Sequence, residues 1–306
     1  MIKNKILLAH LALLLVNMFY GANYLVAKGL MPHVIGPSGF IVLRVLGATS
    51  LFLIWKSFIK EKVAKSDLLR LAACGLFGVA VNQLLFFNGL NITSPINASI
   101  IMTSNPILVL IIASVLLKER ITKLKLSGVI LGATGAIVLI AASDRGIGSG
   151  SSVLGDTMCL INAISYGIYL VMVKPLMAKY SPITVISYVF MFGLLVVLPI
   201  GMPQFLEISW NTITQSQWIG IAYVVIATTF LVYLLNIFAL KHVSASVASS
   251  YIYLQPVMAA LFGLLFHYLF TGFPDPGAIT PLKIVCTLAI FVGVYLVSKP
   301  TKKQVP

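Results

Sequence analysis

Charged side chains are scarce in this chain, at 9% of 306 residues, where soluble domains carry about a quarter. So few charges cannot clothe a water-facing surface, and lipid must be the solvent. Acidic residues are scarcer still: seven, set against 21 lysines and arginines. Glu61, Asp67, Glu119, Asp144, Asp156, Glu207 and Asp275 all avoid the middle of an apolar run. Proton-coupled pumps commonly relay through intramembrane carboxylates or histidines. Only His10 and His267 remain for that role, both near run ends, so facilitated diffusion or exchange is favoured over a carboxylate relay. Cysteine is limited to Cys74, Cys159 and Cys286, an odd number inside apolar runs with no metal-ligand spacing. Small buried thiols of this kind act as apolar residues, and neither metal nor cofactor is expected. Also missing are a His/Glu/Asp metal cluster, a nucleophile paired with a base and a phosphate-cradling glycine loop, so an enzyme is not expected.

What is present is apolar sequence. Hydrophobic residues make up 59% of the chain and the mean hydropathy is +1.04. The runs are continuous and approach the ~20 residues that span a bilayer as helix, unlike the short alternating segments of a barrel. They predict an all-α membrane protein of ten transmembrane helices over about 6–30, 37–56, 68–90, 95–117, 124–142, 154–177, 182–202, 217–240, 244–270 and 282–298. The first run, preceded by Lys3 and Lys5, is too long for a secretory signal and reads as a retained helix.

The net charge of +14 does not point to nucleic acid, because the basic residues form no stripe interleaved with aromatics. They collect in alternate loops: Lys60, Lys62, Lys65 and Arg70; Lys118, Arg120, Lys123 and Lys125; Lys174 and Lys179; Lys241; and Lys299, Lys302 and Lys303. The intervening loops hold little beyond Arg145 and Lys283. This asymmetry predicts both termini in the cytoplasm, in an inner, cytoplasmic membrane.

The two halves repeat each other. Tyr20-Gly21, Lys28, Leu30 and Met31 recur as Tyr166-Gly167, Lys174, Leu176 and Met177 at one displacement. Leu90, Ser94, Ala98-Ser99 and Asn105-Pro106 recur as Leu240, Ser244, Ala248-Ser249 and Gln255-Pro256 at another. The expected units are residues 1–142 and 154–300, joined by a Gly/Ser-rich linker at 143–153. Five helices per unit is odd, so the second unit enters the membrane inverted. Inverted repeats can open a midplane site alternately to each side. Two such units can enclose a pathway, which makes a monomer the default.

Polar groups within the spans are candidates for the pathway, since each costs several kcal/mol if unpaired in lipid. Lys28 and Arg44 offer an electropositive lining for a carboxylate or phosphate; the structural alternative is snorkelling for Lys28 and helix-end pairing for Arg44. Tyr20 and Asn23, Gln83 and Phe87, Asn105, then Asn162, Tyr166 and Tyr169, with Tyr233, Tyr253 and Gln255, form an uncharged polar and aromatic set suited to a small amphipathic solute. Interface anchoring and helix–helix hydrogen bonding are the competing roles. Pro106 and Pro256, at matching places, are candidate hinges. Gly128, Gly132 and Gly135 predict close packing of the fifth helix.

Tyr20-Gly21-Ala22-Asn23, Arg44, Pro106 and Leu117-Lys118-Glu119-Arg120, in this order across two sets of five spans, resemble an EamA-type member of the drug/metabolite transporter superfamily. The resemblance covers about Leu7 to Ser298. It implies a basket of helices around a central cavity and export of amino acids or other small metabolites. One departure is that Leu269-Phe270 stands where a second Glu119-Arg120 would be expected, before a longer Gly/Pro-rich loop. The functions left in competition are a metabolite exporter, an exchanger of phosphorylated or nucleotide-linked metabolites, and a membrane channel or scaffold.

Overall fold

A computed structural model of the chain describes residues 2–31, 34–93, 101–141, 152–269 and 281–299. The linker at 143–151, the Ala98-Ser99 pair, Phe270 with the loop at 271–280, and the basic tail beyond 299 lie outside the described residues, as do the side chains of Lys28 and Pro256.

The chain is all-helical, with no strand among the described residues. We label the main helices α1 (Ile2–Leu30), α2 (Pro37–Ser57), α3 (Lys65–Ile92), α4 (Asn105–Leu116), α5 (Lys123–Ala141), α6 (Val153–Lys179), α7 (Pro182–Leu206), α8 (Gln215–His242), α9 (Gln255–Leu269) and α10 (Pro281–Ser298). Among the described residues, six stretches are long and apolar enough to cross a membrane: Asn4–Asn23 of α1, and α2, α3, α6, α7 and α8; Asn105–Leu116 and Ile284–Ser298 are shorter apolar helices. Aliphatic side chains along the outer faces, Leu15, Leu53, Ile54, Val115, Leu195 and Ile284 among them, are exposed. Apolar surface on that scale belongs in lipid.

Local sequence explains where helices begin. Pro37 and Pro182 occupy first-turn positions, where the missing N–H has no intrahelical role. The Ser181 hydroxyl accepts from the Thr184 amide at 3.4 Å. Thr214 and Gln217 close a reciprocal capping box at the start of α8. At the end of α4, Lys118 adopts φ 54°, and the Glu119 amide bonds back to the Ala113 carbonyl at 3.2 Å. That left-handed stop turns Glu119 back toward the bundle, where it pairs with Lys125 at 3.2 Å and accepts from Ser246 at 2.8 Å.

Two helices contain a wide π turn, Leu76–Ala80 in α3 and Ile226–Leu231 in α8. Such turns disturb the backbone ladder, and neighbouring side chains supply donors there. Ser165 donates to the Phe77 carbonyl at 2.6 Å, and Thr228 and Thr229 donate to the Val224 carbonyl at 2.9 and 2.7 Å.

The prolines expected to kink helices instead start them. A turn at Thr103–Ser104 precedes Asn105-Pro106, and Pro106 lies in the first turn of α4. A short helix, Ala245–Ser250, and a tight turn, Tyr251–Leu254, precede Gln255-Pro256. The predicted fourth and ninth spans are thus interrupted, because a proline is cheapest where a helix begins.

The helices pack in a regular pattern. α2 lies along α7, and α5 along α10; α1 packs on α8 and α9, while α6 packs on α3 and α4. Glycine sets the closest approaches: a Cβ on Gly293 would stand 2.7 Å from the Gly128 carbonyl, and one on Gly201 only 2.5 Å from that of Ser38.

Candidate functional site

Where α1, α2, α3, α4, α6, α8 and α9 converge there is a cavity of about 110 Å³, well below the several hundred Å³ of pockets that take drug-sized ligands. Ten of the thirteen side chains singled out from the sequence line it: Tyr20, Asn23, Arg44, Gln83, Phe87, Asn105, Asn162, Tyr166, Tyr233 and Gln255. Tyr169 and Tyr253 do not. Tyr169 packs its ring over Gly78, and Tyr253 over Gly132, both at helix interfaces with almost no exposure. Lys28 cannot be assigned, its side chain lying outside the described residues.

A hydrogen-bonded frame holds the lining. Gln83 donates to the Tyr233 hydroxyl at 3.3 Å, and that hydroxyl donates to the Gly78 carbonyl at 3.2 Å. Asn162 donates to the Asn82 carbonyl at 2.6 Å, Asn236 to the Tyr166 hydroxyl at 2.7 Å, and Gln255 to Asn17 at 3.2 Å. Thr228 reaches Asn23 at 3.2 Å. Each bond joins two different helices, so the frame orients polar groups and fixes helix rotation together.

Arg44 is the only charged residue among the described lining residues. It is 3% exposed. Its Nε donates to the Thr229 hydroxyl at 3.1 Å, and the guanidinium carbon lies 4.7 Å from the Phe87 ring centre and 5.6 Å from that of Phe40. Nη1 is buried with no hydrogen-bond partner, and no carboxylate pairs with Arg44 among the described residues. Ring faces supply about 2 kcal/mol at best, whereas burying a charge costs several. The expectation that helix-end carbonyls pair with Arg44 gives way to this aromatic and hydroxyl setting.

Away from the cavity, polar latches join neighbouring segments. Asp67 takes two contacts of 3.0 Å from Lys179 and a hydrogen bond of 2.7 Å from Tyr180. Both oxygens of Glu61 accept from the Ser181 amide at 3.1 Å, and one from its hydroxyl at 2.7 Å. Burial pushes the Glu61 carboxyl up, but hydrogen bonds from Thr184 and Ser181, with the Lys56 charge, hold it below the usual carboxylate range. Lys174 donates to the Leu240 and Val243 carbonyls at the end of α8. Asp156 accepts from Thr93.

Sequence reasoning missed Asn17, Asn82, Phe86, Met102 and Asn236, which also line the cavity. A signal existed for two of them. Asn17 lies three residues before Tyr20, and Asn236 three after Tyr233, the spacing of one helix face.

Known proteins resemble this chain over nearly its whole length. The uncharacterized transporter YyaM of Bacillus subtilis is 26% identical over 299 residues, 96% of this chain and 97% of its own. An uncharacterized transporter of Archaeoglobus fulgidus is 26% identical, covering 94% and 96%. A probable terminal-alkyne amino-acid exporter of Streptantibioticus cattleyicolor is 24% identical, covering 77% and 74%. A solved crystal structure with 16% identity superposes with a TM-score of 0.74 over 94% of this chain and 95% of the other, which establishes a shared fold. These relatives are named as transporters rather than enzymes, and a multi-pass protein of the inner membrane, moving a small solute within lipid, accounts for the apolar helices around a polar cavity. The profile of the EamA-like transporter family matches residues 7–141 and 153–299, and the chain belongs to that family.

Proposed function

We propose that the chain is a secondary transporter exporting amino acids or similar small metabolites across the cytoplasmic membrane by alternating access. The observation that carries this reading is the Gln83–Tyr233 hydrogen bond in the cavity. These two residues are separated by the same displacement as Leu90 and Leu240. Copies related by a two-fold axis touch their own counterparts only near that axis. The bond therefore supports an axis through the cavity, relating two inverted five-helix units, 1–142 and 154–300, across a linker at 143–153. The two π turns obey the same displacement. The packing of α1 on α8 and α9 corresponds to that of α6 on α3 and α4.

In this reading ten spans cross the membrane, with both termini in the cytoplasm. The interrupted helices before Pro106 and Pro256 are where the two units change relative position, since discontinuous helices accompany binding sites in inverted-repeat transporters. An amino-acid cargo is favoured by the size of the cavity and by the name of the Streptantibioticus relative. A phosphorylated or nucleotide-linked cargo carries several negative charges, for which one arginine is a thin complement. A single chain suffices for such a pathway.

The test is counterflow. Proteoliposomes containing the protein are given labelled amino acids, with and without unlabelled solute inside. Saturable uptake accelerated by internal solute is the expected result. Uptake that rises linearly with concentration and ignores internal solute would identify a channel and end the alternating-access reading.

A further inference from the structure

Resting on the transporter reading, we propose that Arg44 is the anion-binding centre of the cavity, so that the cargo is a small solute with a carboxylate head. Arg44 is almost completely buried, yet its Nη1 has no hydrogen-bond partner among the described residues. The described groups around it are neutral: a threonine hydroxyl at 3.1 Å and two phenylalanine rings, with the phenols of Tyr20 and Tyr233 close by. Four of the five described acidic residues have their interactions elsewhere, and the fifth, Glu207, is exposed just past the end of α7. Asp67 is held by Lys179 and Tyr180, Glu119 by Lys125 and Ser246, Glu61 by Ser181, and Asp156 by Thr93. A buried cation so placed is complemented by a carboxylate arriving with the solute, since guanidinium offers paired donors to that planar anion.

The same cavity holds the complementary half of the recognition. Gln83 Oε1 and Asn105 Oδ1 are buried acceptors with no partner among the described residues. The orientation of the Gln83 amide is set by Tyr233. That hydroxyl spends its proton on the Gly78 carbonyl and so accepts from Gln83 Nε2, leaving Oε1 without a partner among the described residues. Gln83 lies one helical turn from Phe87, whose ring bears on Arg44. The cavity thus presents one unmatched cationic donor and two unmatched neutral acceptors, a pattern that fits a carboxylate carrying an amine close to it. A lipophilic cation lacks the first partner and meets Arg44 as a like charge, so it is rejected.

The test uses probes that share one side chain: L-leucine, leucinamide and 3-methylbutylamine, with inorganic phosphate as a second anion. Thermal unfolding of the detergent-purified protein is followed for the wild type, Arg44→Lys and Arg44→Met. We expect leucine to raise the wild-type midpoint by about 5 °C at roughly 100-fold excess over its Kd, with no shift from the amide or the amine. Arg44→Lys keeps part of the leucine shift and Arg44→Met none, while the unliganded Arg44→Met protein unfolds no earlier than wild type. A shift from phosphate but not leucine would overturn the carboxylate assignment. Equal shifts from acid, amide and amine would overturn it too, as would a leucine shift surviving in Arg44→Met or no shift from either anion. Counterflow keeps the two readings apart. Exchange confined to neutral or cationic probes would leave the carrier standing and sink the anion site. An Arg44-dependent shift without any counterflow would do the reverse.

Discussion

Arg44 of α2 and Phe190 of α7 are separated by the displacement that relates Tyr20 to Tyr166, and so correspond in the proposed two-half arrangement. Both are buried, but their chemistry differs. Phe190 is fully buried, edge-on to Tyr233 at 4.8 Å and packed on Phe52 at 5.0 Å. Arg44 lies against Phe87 with an unmatched nitrogen. Three residues further on, both helices carry a glycine in close contact. A Cβ on Gly47 would meet Val225 at 2.6 Å, and one on Gly193 would meet Val79 at 2.6 Å. The tightly packed glycine recurs at this offset while the residue three before it does not: Arg44 lines the cavity and Phe190 does not. Packing depends on shape, which both places must satisfy, whereas a buried charge is present at only one of them.

The largest expected effect probes the packing side of this comparison. Gly75→Ala drives a methyl to within 2.7 Å of the Val189 carbonyl and 2.8 Å of the Gly193 amide, all backbone. It should cost about 3 kcal/mol in unfolding free energy. Gly47→Ala meets only the Val225 side chain and should cost about 1 kcal/mol. Equal losses in thermal unfolding would break the distinction between backbone and side-chain contact.

Next comes the chemical side. Arg44→Met should reduce counterflow roughly thirtyfold, the worth of a hydrogen bond to a charged group. Phe190→Leu should instead lower stability by about 1 kcal/mol and leave the choice among acid, amide and amine unchanged. If Phe190→Leu altered that choice as much as Arg44→Met, the chemical asymmetry of the halves would be lost.

A smaller effect is expected at the contact between them. Tyr233→Phe removes both the acceptor for Gln83 and the donor to Gly78, and should cost about 1 kcal/mol with a few-fold loss of counterflow. An unchanged unfolding midpoint would mean that the bond contributes nothing to joining the halves.

The smallest effect is at the loops. Because the Glu61 pKa is lowered in the folded state, its contribution is fully present above the ordinary glutamate value of about 4.3. It is lost as pH falls through the lowered folded value. The gap in unfolding midpoint between wild type and Glu61→Gln should therefore close on acidification. A gap that widened as pH fell would reverse the assigned sign.

The sequence by itself determined the solvent, the helical class and most of the cavity. Scarce charge and long apolar runs leave only helices in lipid, and polar residues placed mid-run must find partners inside the bundle, so Tyr20, Gln83, Asn162 and Tyr166 converge on one cavity. Tertiary structure alone decided which tyrosines face it. Tyr169 and Tyr253 carry the same chemistry as Tyr166, but Gly78 and Gly132 on neighbouring helices open slots that their rings fill, and those glycines are distant in the chain. The same holds for the prolines, whose effect depends on where the helix starts. It holds above all for Arg44, whose charge is legible from the chain. That no described carboxylate pairs with it becomes visible only when the helices around it are brought together.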